Sequence, residues 1–241
     1  MRVLLVGYGK MGQLVEQLAV AQGMEIASRI DVGAGDWSSP ADVAIDFSTA
    51  GALKENFPRY LERKIPAVIG TTGWADLADG FRGQAEKAGL GVVTAPNFSI
   101  GVNLFEMIVA DAAKKMRQHP QYGAWIHEAH HATKRDAPSG TALLLRDVMT
   151  AAGYDRPIDI SATRAGAIPG IHTIGFDGPS DTIELTHTAR DRRGFASGAL
   201  LAAHETAHGR FVNRSVFSER RDERRADTCK SRSHSYDSGR V

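Results

Sequence analysis

An α/β architecture is predicted for this chain: a doubly wound parallel sheet first, then a second α+β domain built on an antiparallel or mixed sheet. Two observations predict it. Short apolar, β-branched runs at residues 3–6, 24–30, 43–47, 67–69 and 91–94 are bounded by turn chemistry and separated by helix-compatible stretches, as successive βαβ units would be. After residue 97 the pattern changes to a helix over about 102–116, a strand ending at 130–131 and a helix opening at 138–139. Alternating apolar and polar segments follow at 171–176 and 182–188 with no long helix between them, the signature of antiparallel strands. The expected division is therefore residues 1–100, residues 101–210, and an atypical polar segment over 211–241.

The first five runs are apolar throughout, which suits strands covered by helices on both faces. Such sheets bind ligands at the carboxyl ends of their strands. With 241 residues and 42% hydrophobic composition the chain has material for buried cores, and 29 basic against 28 acidic residues leave a formal charge of +1. No whole-chain field favours nucleic acid or an anionic membrane, so small molecules and sister subunits are the expected partners. Cys229 is the single cysteine, which rules out an internal disulfide framework and fits a reducing cytoplasm. No signal-peptide pattern and no apolar run of the ~20 residues needed to cross a bilayer is present, so a soluble protein is expected.

Gly7-Tyr8-Gly9-Lys10-Met11-Gly12 follows the first strand and opens a helix. In that setting Gly7 permits the tight turn, Gly9 lets the backbone approach a pyrophosphate, and Gly12 allows close helix packing. The free N–H groups of the helix start favour an anion. These residues make the first domain a Rossmann-type dinucleotide-binding unit; the competing reading is an ordinary strand-to-helix turn. Asp31 ends the second strand at the spacing of an acid that accepts from ribose hydroxyls, which favours NADH, or else is a solvated turn residue. Lys10 and Arg29 could offset a 2′-phosphate, so NADPH stays open.

Residues 128–142, Glu-Ala-His-His-Ala-Thr-Lys-Arg-Asp-Ala-Pro-Ser-Gly-Thr-Ala, crowd two histidines, a lysine and a helix start into one connection. Ser139, Gly140 and Thr141 can cap the helix or offer N–H and hydroxyl groups to a carboxylate. Lys134 supplies a mobile positive charge, and a histidine that titrates near neutrality can give or take a proton. Singly these are a capped surface helix, a solvated lysine and hydrogen-bonded histidines; jointly they read as dianion recognition with acid catalysis.

Four separated segments, 7–12, 68–73 (Val-Ile-Gly-Thr-Thr-Gly), 95–103 (Ala-Pro-Asn-Phe-Ser-Ile-Gly-Val-Asn) and 128–142, resemble in order and spacing the 4-hydroxy-tetrahydrodipicolinate reductase family. The resemblance spans about residues 1–203, including 42–48 and 195–199. It implies hydride transfer from NADH or NADPH to a small cyclic dicarboxylate in lysine and diaminopimelate biosynthesis, in a cytoplasmic homotetramer built through the second sheet. It further implies that Gly70, Thr71 and Thr72, with Pro96, Asn97, Phe98 and Ser99, line the nicotinamide end of the cleft. His130 becomes the proton donor, Lys134 a second donor or carboxylate anchor, and His131, Ser139, Gly140 and Thr141 the substrate grip. A hinge is implied near residues 98–101, with a second crossing before the tail.

The chain departs from the family after about residue 203, where His204-Glu205-Thr206-Ala207-His208 leads into a polar tail that carries too little apolar surface to order itself, except for a charged helical stretch near 219–225. His204, Glu205 and His208 also satisfy a zinc-peptidase spacing, which needs a third ligand such as Glu219 or Glu223. A nucleotide-binding relative without turnover is the remaining alternative.

Overall fold

The computed structural model describes residues 1–95 and 97–208. The expected tail, with Glu219, Glu223 and Cys229, and Pro96 of the cleft segment lie outside the described residues.

The first domain holds β1 (Arg2–Val6), α1 (Lys10–Ala21), β2 (Glu25–Ile30), β3 (Val43–Asp46), α2 (Ala50–Arg63), β4 (Ala67–Ile69), α3 (Ala78–Ala88) and β5 (Val92–Thr94). Its sheet is parallel throughout, in the order β2-β1-β3-β4-β5. Alternation along β1 sends Val3 and Leu5 to one face, under α1, and Leu4 and Val6 to the other, under α2 and α3. Strand order reverses between β1 and β3, and at that switch point the two following turns touch. A Cβ on Gly7, whose φ is +83°, would lie 2.6 Å from the backbone of Phe47 and Ser48.

One expectation fails here. No helix separates β2 from β3: residues 31–42 form a loop in which Gly33 and Gly35 take positive φ and Asp36 accepts from Ser38 and Ser39. Local side-chain bonds and glycines compete with helix formation there.

The second domain holds α4 (Ile100–Met116), β6 (Gly123–His130), α5 (Gly140–Ala151), β7 (Ile158–Arg164), β8 (Ile171–Asp177) and β9 (Thr182–Thr188). Its sheet is mixed, in the order β7-β6-β8-β9, with β7 parallel to β6 and the other pairs antiparallel. Sequence reasoning did not single out β7; it is an edge strand whose alternation is weak because most of it is exposed. Phe105, Val109, Ala113 and Met116 of α4 and Ala142, Leu145 and Met149 of α5 recur at helical spacing and cover one face of this sheet.

The final helix, α6 (Arg193–Ala207), crosses back to the first domain, where Ala196, Ala199, Leu200 and Ala203 join Val3, Leu5, Val43 and Val93 in one core. Its approach depends on a missing side chain, since a Cβ on Gly198 would sit 1.7 Å from the carbonyl oxygen of Phe98. Gly198→Ala should lower stability by about 2–3 kcal/mol through forced backbone displacement, measured as a drop in the urea midpoint with an unchanged slope.

Candidate functional site

The glycine turn shapes the first half of the site. Gly7, Tyr8 and Gly9 line a cleft of about 810 Å³ with Asp31, the 32–35 loop, Trp37, Ser48, Asn56 and Arg59. A Cβ on Gly12 would lie 2.2 Å from the carbonyl oxygen of Gly7, whereas the space above Gly9 is open to 4 Å. Helix α1 therefore packs tightly onto the turn while Gly9, its N-cap, faces free space with no side chain capping it. That combination fits a pyrophosphate against backbone N–H groups. Lys10 is exposed, and Met11 is packed against the core.

Asp31 is exposed in the cleft lining and accepts from the N–H of Val32. Arg29 is engaged elsewhere, its guanidinium bridging Glu16 with one bond at 2.9 Å and a second, shorter one. That bonding to Glu16 holds the Arg29 guanidinium above its usual range. The guanidinium of Arg59, 4.8 Å from the Trp37 ring centre, also lines the cleft.

The turn after β4 is held from below by an acid that sequence reasoning left without a role. Asp46, fully buried, accepts from the hydroxyls of Thr71 at 2.9 Å, Ser48 at 2.6 Å and Tyr60 at 2.7 Å, and from the Asn56 amide at 3.3 Å. Burial first, and then the Asp46 carboxylate, push the Tyr60 phenol well above its ordinary value. Thr71 thus turns its hydroxyl inward, Thr72 is exposed, and Gly70 lies against the Phe47 ring, where a Cβ would come within 2.2 Å. In the segment after β5, Asn97 accepts from the Ser99 N–H, Phe98 is buried in the core, and Ser99 caps α4. The side chains of Phe98 and Ser99 shape the segment from within, and neither residues 97–99 nor residues 70–72 are among those lining the cleft beside the glycine turn.

The second half of the site is assembled on β6. Ala124, Ile126, Glu128 and His130 share one parity, so the apolar start of the strand fixes the last two side chains on the covered face. Glu128 has no exposed surface and accepts four bonds: two from Arg164 at 2.9 and 2.6 Å, one from the Ser139 N–H at 3.0 Å, and one from His130 Nδ1 at 2.5 Å. Burial alone would raise its carboxyl; the bonds from Arg164, His130 and Ser139 outweigh burial and hold it below the ordinary carboxylate value. An ionised carboxylate only accepts, so the bond to Glu128 calls for the donor role at Nδ1 of His130.

Ser139 spends its N–H on Glu128 and its hydroxyl on capping Ala142 and bonding His172 Nε2 at 3.1 Å. The α5 start is thus left with Gly140, which is exposed, and Thr141, which is half-buried, facing outward. Lys134 lies 2.8 Å from Asp136, whose carboxylate is lowered first by that lysine and also accepts from the Gly140 N–H. His131 turns its Nδ1 to the Thr133 hydroxyl.

Glu128, His172 and His187 face one another in register across β6, β8 and β9, which places them in one row on the covered face. The His130 and His172 rings meet edge to face, 5.1 Å apart. Burial, and then the charge of His130, push His172 down to about 4, so it is neutral near pH 7. His187 lies 5.7 Å from the Phe105 ring and is close enough to α4 that a Cβ on Gly101 would meet its Nε2 at 2.9 Å. His187, the last of the row, therefore lies against the first turn of α4, the helix that follows β5 of the parallel sheet.

His204 and His208 stack with ring centres 4.5 Å apart, but His208 Nδ1 is bonded to the His204 carbonyl. Among the described residues no group of three or more His, Cys, Asp or Glu side chains could hold a metal ion, so the peptidase reading gains no support.

A parallel sheet of dinucleotide-binding type, followed in the same chain by a mixed-sheet domain whose β6–α5 connection carries imidazole and amine groups, is the make-up of a two-domain reductase. Comparison with known proteins makes this particular: residues 1–98 match the dihydrodipicolinate reductase N-terminus and residues 101–217 its C-terminus. The chain is 35% identical over 235 residues to 4-hydroxy-tetrahydrodipicolinate reductase of Christiangramia forsetii, covering 91% of this chain and 98% of that protein. The same enzyme of Archaeoglobus fulgidus is 36% identical, covering 84% and 93%. Among solved structures, the dipicolinate-bound dihydrodipicolinate reductase from Paenisporosarcina sp. TG-14 shares the fold with a TM-score of 0.72 at 24% identity, over 86% of this chain and 95% of that one. The chain belongs to the dihydrodipicolinate reductase family.

In an unfolded chain histidine takes a proton near 6.5, but His172 in the fold does so at about 4. Between those values the unfolded chain binds more protons, so stability present above pH 6.5 is lost as pH falls toward 4. Thermal midpoints should decline over that interval, and His172→Gln should flatten part of the decline.

Proposed function

We propose that this chain reduces 4-hydroxy-tetrahydrodipicolinate to tetrahydrodipicolinate with a nicotinamide dinucleotide, in lysine and diaminopimelate biosynthesis. The observation that carries the reading is the gathering of His130, Lys134 and the α5 start in one connection, beside a histidine row whose last member rests on the first turn of α4. Gly7, Gly9 and the α1 start would hold the pyrophosphate, with Asp31 on the ribose and the 70–72 and 96–99 turns beside the nicotinamide. The dinucleotide, when bound, supplies the hydride.

Loss of water from the substrate leaves a conjugated ring, and hydride addition at carbon puts electron density on the neighbouring atoms. A proton must neutralise it, and His130, with Nδ1 bonded to Glu128, is the group we assign to deliver that proton from Nε2. One hydride and one proton together complete the addition across the double bond. Lys134 meets one substrate carboxylate, and Gly140 and Thr141 the other, with His131 beside them. Asp136 now holds Lys134 and the Gly140 N–H with its own carboxylate, so substrate binding displaces it from both. The relative from Paenisporosarcina was solved with dipicolinate, a planar ring dicarboxylate of the class this arrangement suits.

NADH is the favoured cofactor on this reading, because Asp31 opposes a 2′-phosphate and Arg29 is tied to Glu16. Arg59 is the counter-charge that would let NADPH serve as well. A cytoplasmic homotetramer completes the proposal, supported by the family resemblance. Exposed Leu104, Met107 and Ile108 on α4 and Ile183 on β9 are apolar surface available to such an assembly. Among the described residues no helix is long and apolar enough to cross a membrane.

Turnover of freshly generated substrate should be seen with both cofactors and a lower KM for NADH. NADH binding without oxidation would point instead to a non-catalytic relative. His130→Gln should lower kcat about 100-fold or more while NADH affinity changes little, as removal of a general acid does. Lys134→Ala should raise KM and lower kcat together; a loss confined to NADH affinity would contradict its place.

A further inference from the structure

We infer that Glu128 and Arg164 form a positioning pair that fixes the tautomer of His130, so that Nε2 is the ring atom presented for proton delivery. Four donors converge on two carboxylate oxygens: Arg164 and Ser139 on one, Arg164 and His130 on the other. Only a group that accepts at both oxygens satisfies all four. An amide in its place turns an NH₂ toward two of these donors, whichever way it is rotated.

The pair is built into the sheet. Glu128 stands on β6 and Arg164 closes β7, the parallel neighbour, one strand away. Arg164 is itself fixed by the carbonyls of Thr163 at 2.8 Å and Asp136 at 2.5 Å, so its fork reaches the carboxylate from a held position. Such a planar fork matches both oxygens at once, which a lysine cannot do. The Ser139 N–H at the α5 start ties the same carboxylate to the loop that carries Lys134.

The charged and titratable groups around His130 are few enough to separate by experiment. They are Glu128 on its own strand, Arg164 on β7, His172 on β8, and Lys134 and Asp136 on the connecting loop. His172 is neutral near pH 7 and spends its Nε2 on Ser139, so it does not compete for Glu128. Glu128 is ionised by its bonds, which obliges His130 to donate rather than accept.

This inference rests on the reading of His130 as the proton donor, and the test separates the two. Imidazole ¹⁵N shifts of the ligand-free protein report the tautomer directly, without turnover. Wild type should show His130 protonated at Nδ1 when neutral. Glu128→Gln should show a mixture or the Nε2–H form, and kcat should fall about 10–100-fold with substrate KM within about threefold, the pattern of a group acting through the acid. Arg164→Lys keeps the charge but loses the fork, and should give a smaller change in the same direction; it carries the test if Glu128→Gln does not fold. A single Nδ1–H tautomer retained in every folded variant overturns the inference. A changed tautomer with unchanged kcat supports the pair as tautomer-fixing and removes His130 as proton donor.

Discussion

A carboxylate buried without any exposed surface is tolerable only if its charge is met, and Glu128 meets four donors drawn from three separate places in the chain. Each donor is itself a structural anchor: β6 supplies His130, β7 ends in Arg164, and α5 begins beside Ser139. The edge strand, the loop and the helix start are therefore tied to the central strand through one side chain. An uncompensated buried charge costs several kcal/mol, so the loop cannot drift from the sheet without exposing Glu128 to that penalty. The geometry of the second domain and the orientation of the His130 ring follow from the same constraint.

The first domain has a counterpart in Asp46. Its carboxylate gathers the Ser48 turn after β3, the Thr71 turn after β4 and two residues of α2. Both acids sit near the carboxyl end of a strand and brace the loops that follow, one in the first domain and one in the second. The fold thus uses interior acids to fix the loops, while Gly9, Lys10 and Gly140 remain at the surface.

Much of this was legible in the amino-acid order, for identifiable reasons. The runs that became β1 to β5 are apolar throughout because both faces are covered, and the glycine turn declared itself by its place between a strand and a helix. The helix starts at Ser99 and Ser139 were readable because capping is local chemistry. What escaped was long-range. Nothing near Arg164 announces that it reaches back 36 residues to Glu128, and Asp46 looks like an ordinary strand end until α2 closes over it. The loop over 31–42 is helix-compatible by its place between two strands, yet its glycines and Asx bonding act against a helix. Ser139 shows the opposite limit: its chemistry was recognised, but the fold commits its N–H and hydroxyl to internal partners.

Helix α6 gives the molecule a particular mechanical character. The chain leaves the first domain by way of residues 97–99 and re-enters it just before Arg193, and the two crossings run side by side: a Cβ on Gly194 would lie 3.4 Å from Ser99 Oγ, while Gly198 rests on Phe98. The two crossings are thereby seated on each other at two successive points, so that among the described residues both covalent passages between the domains share one seam, and a side chain added at Gly198 would displace the outgoing crossing as well as the helix that carries it.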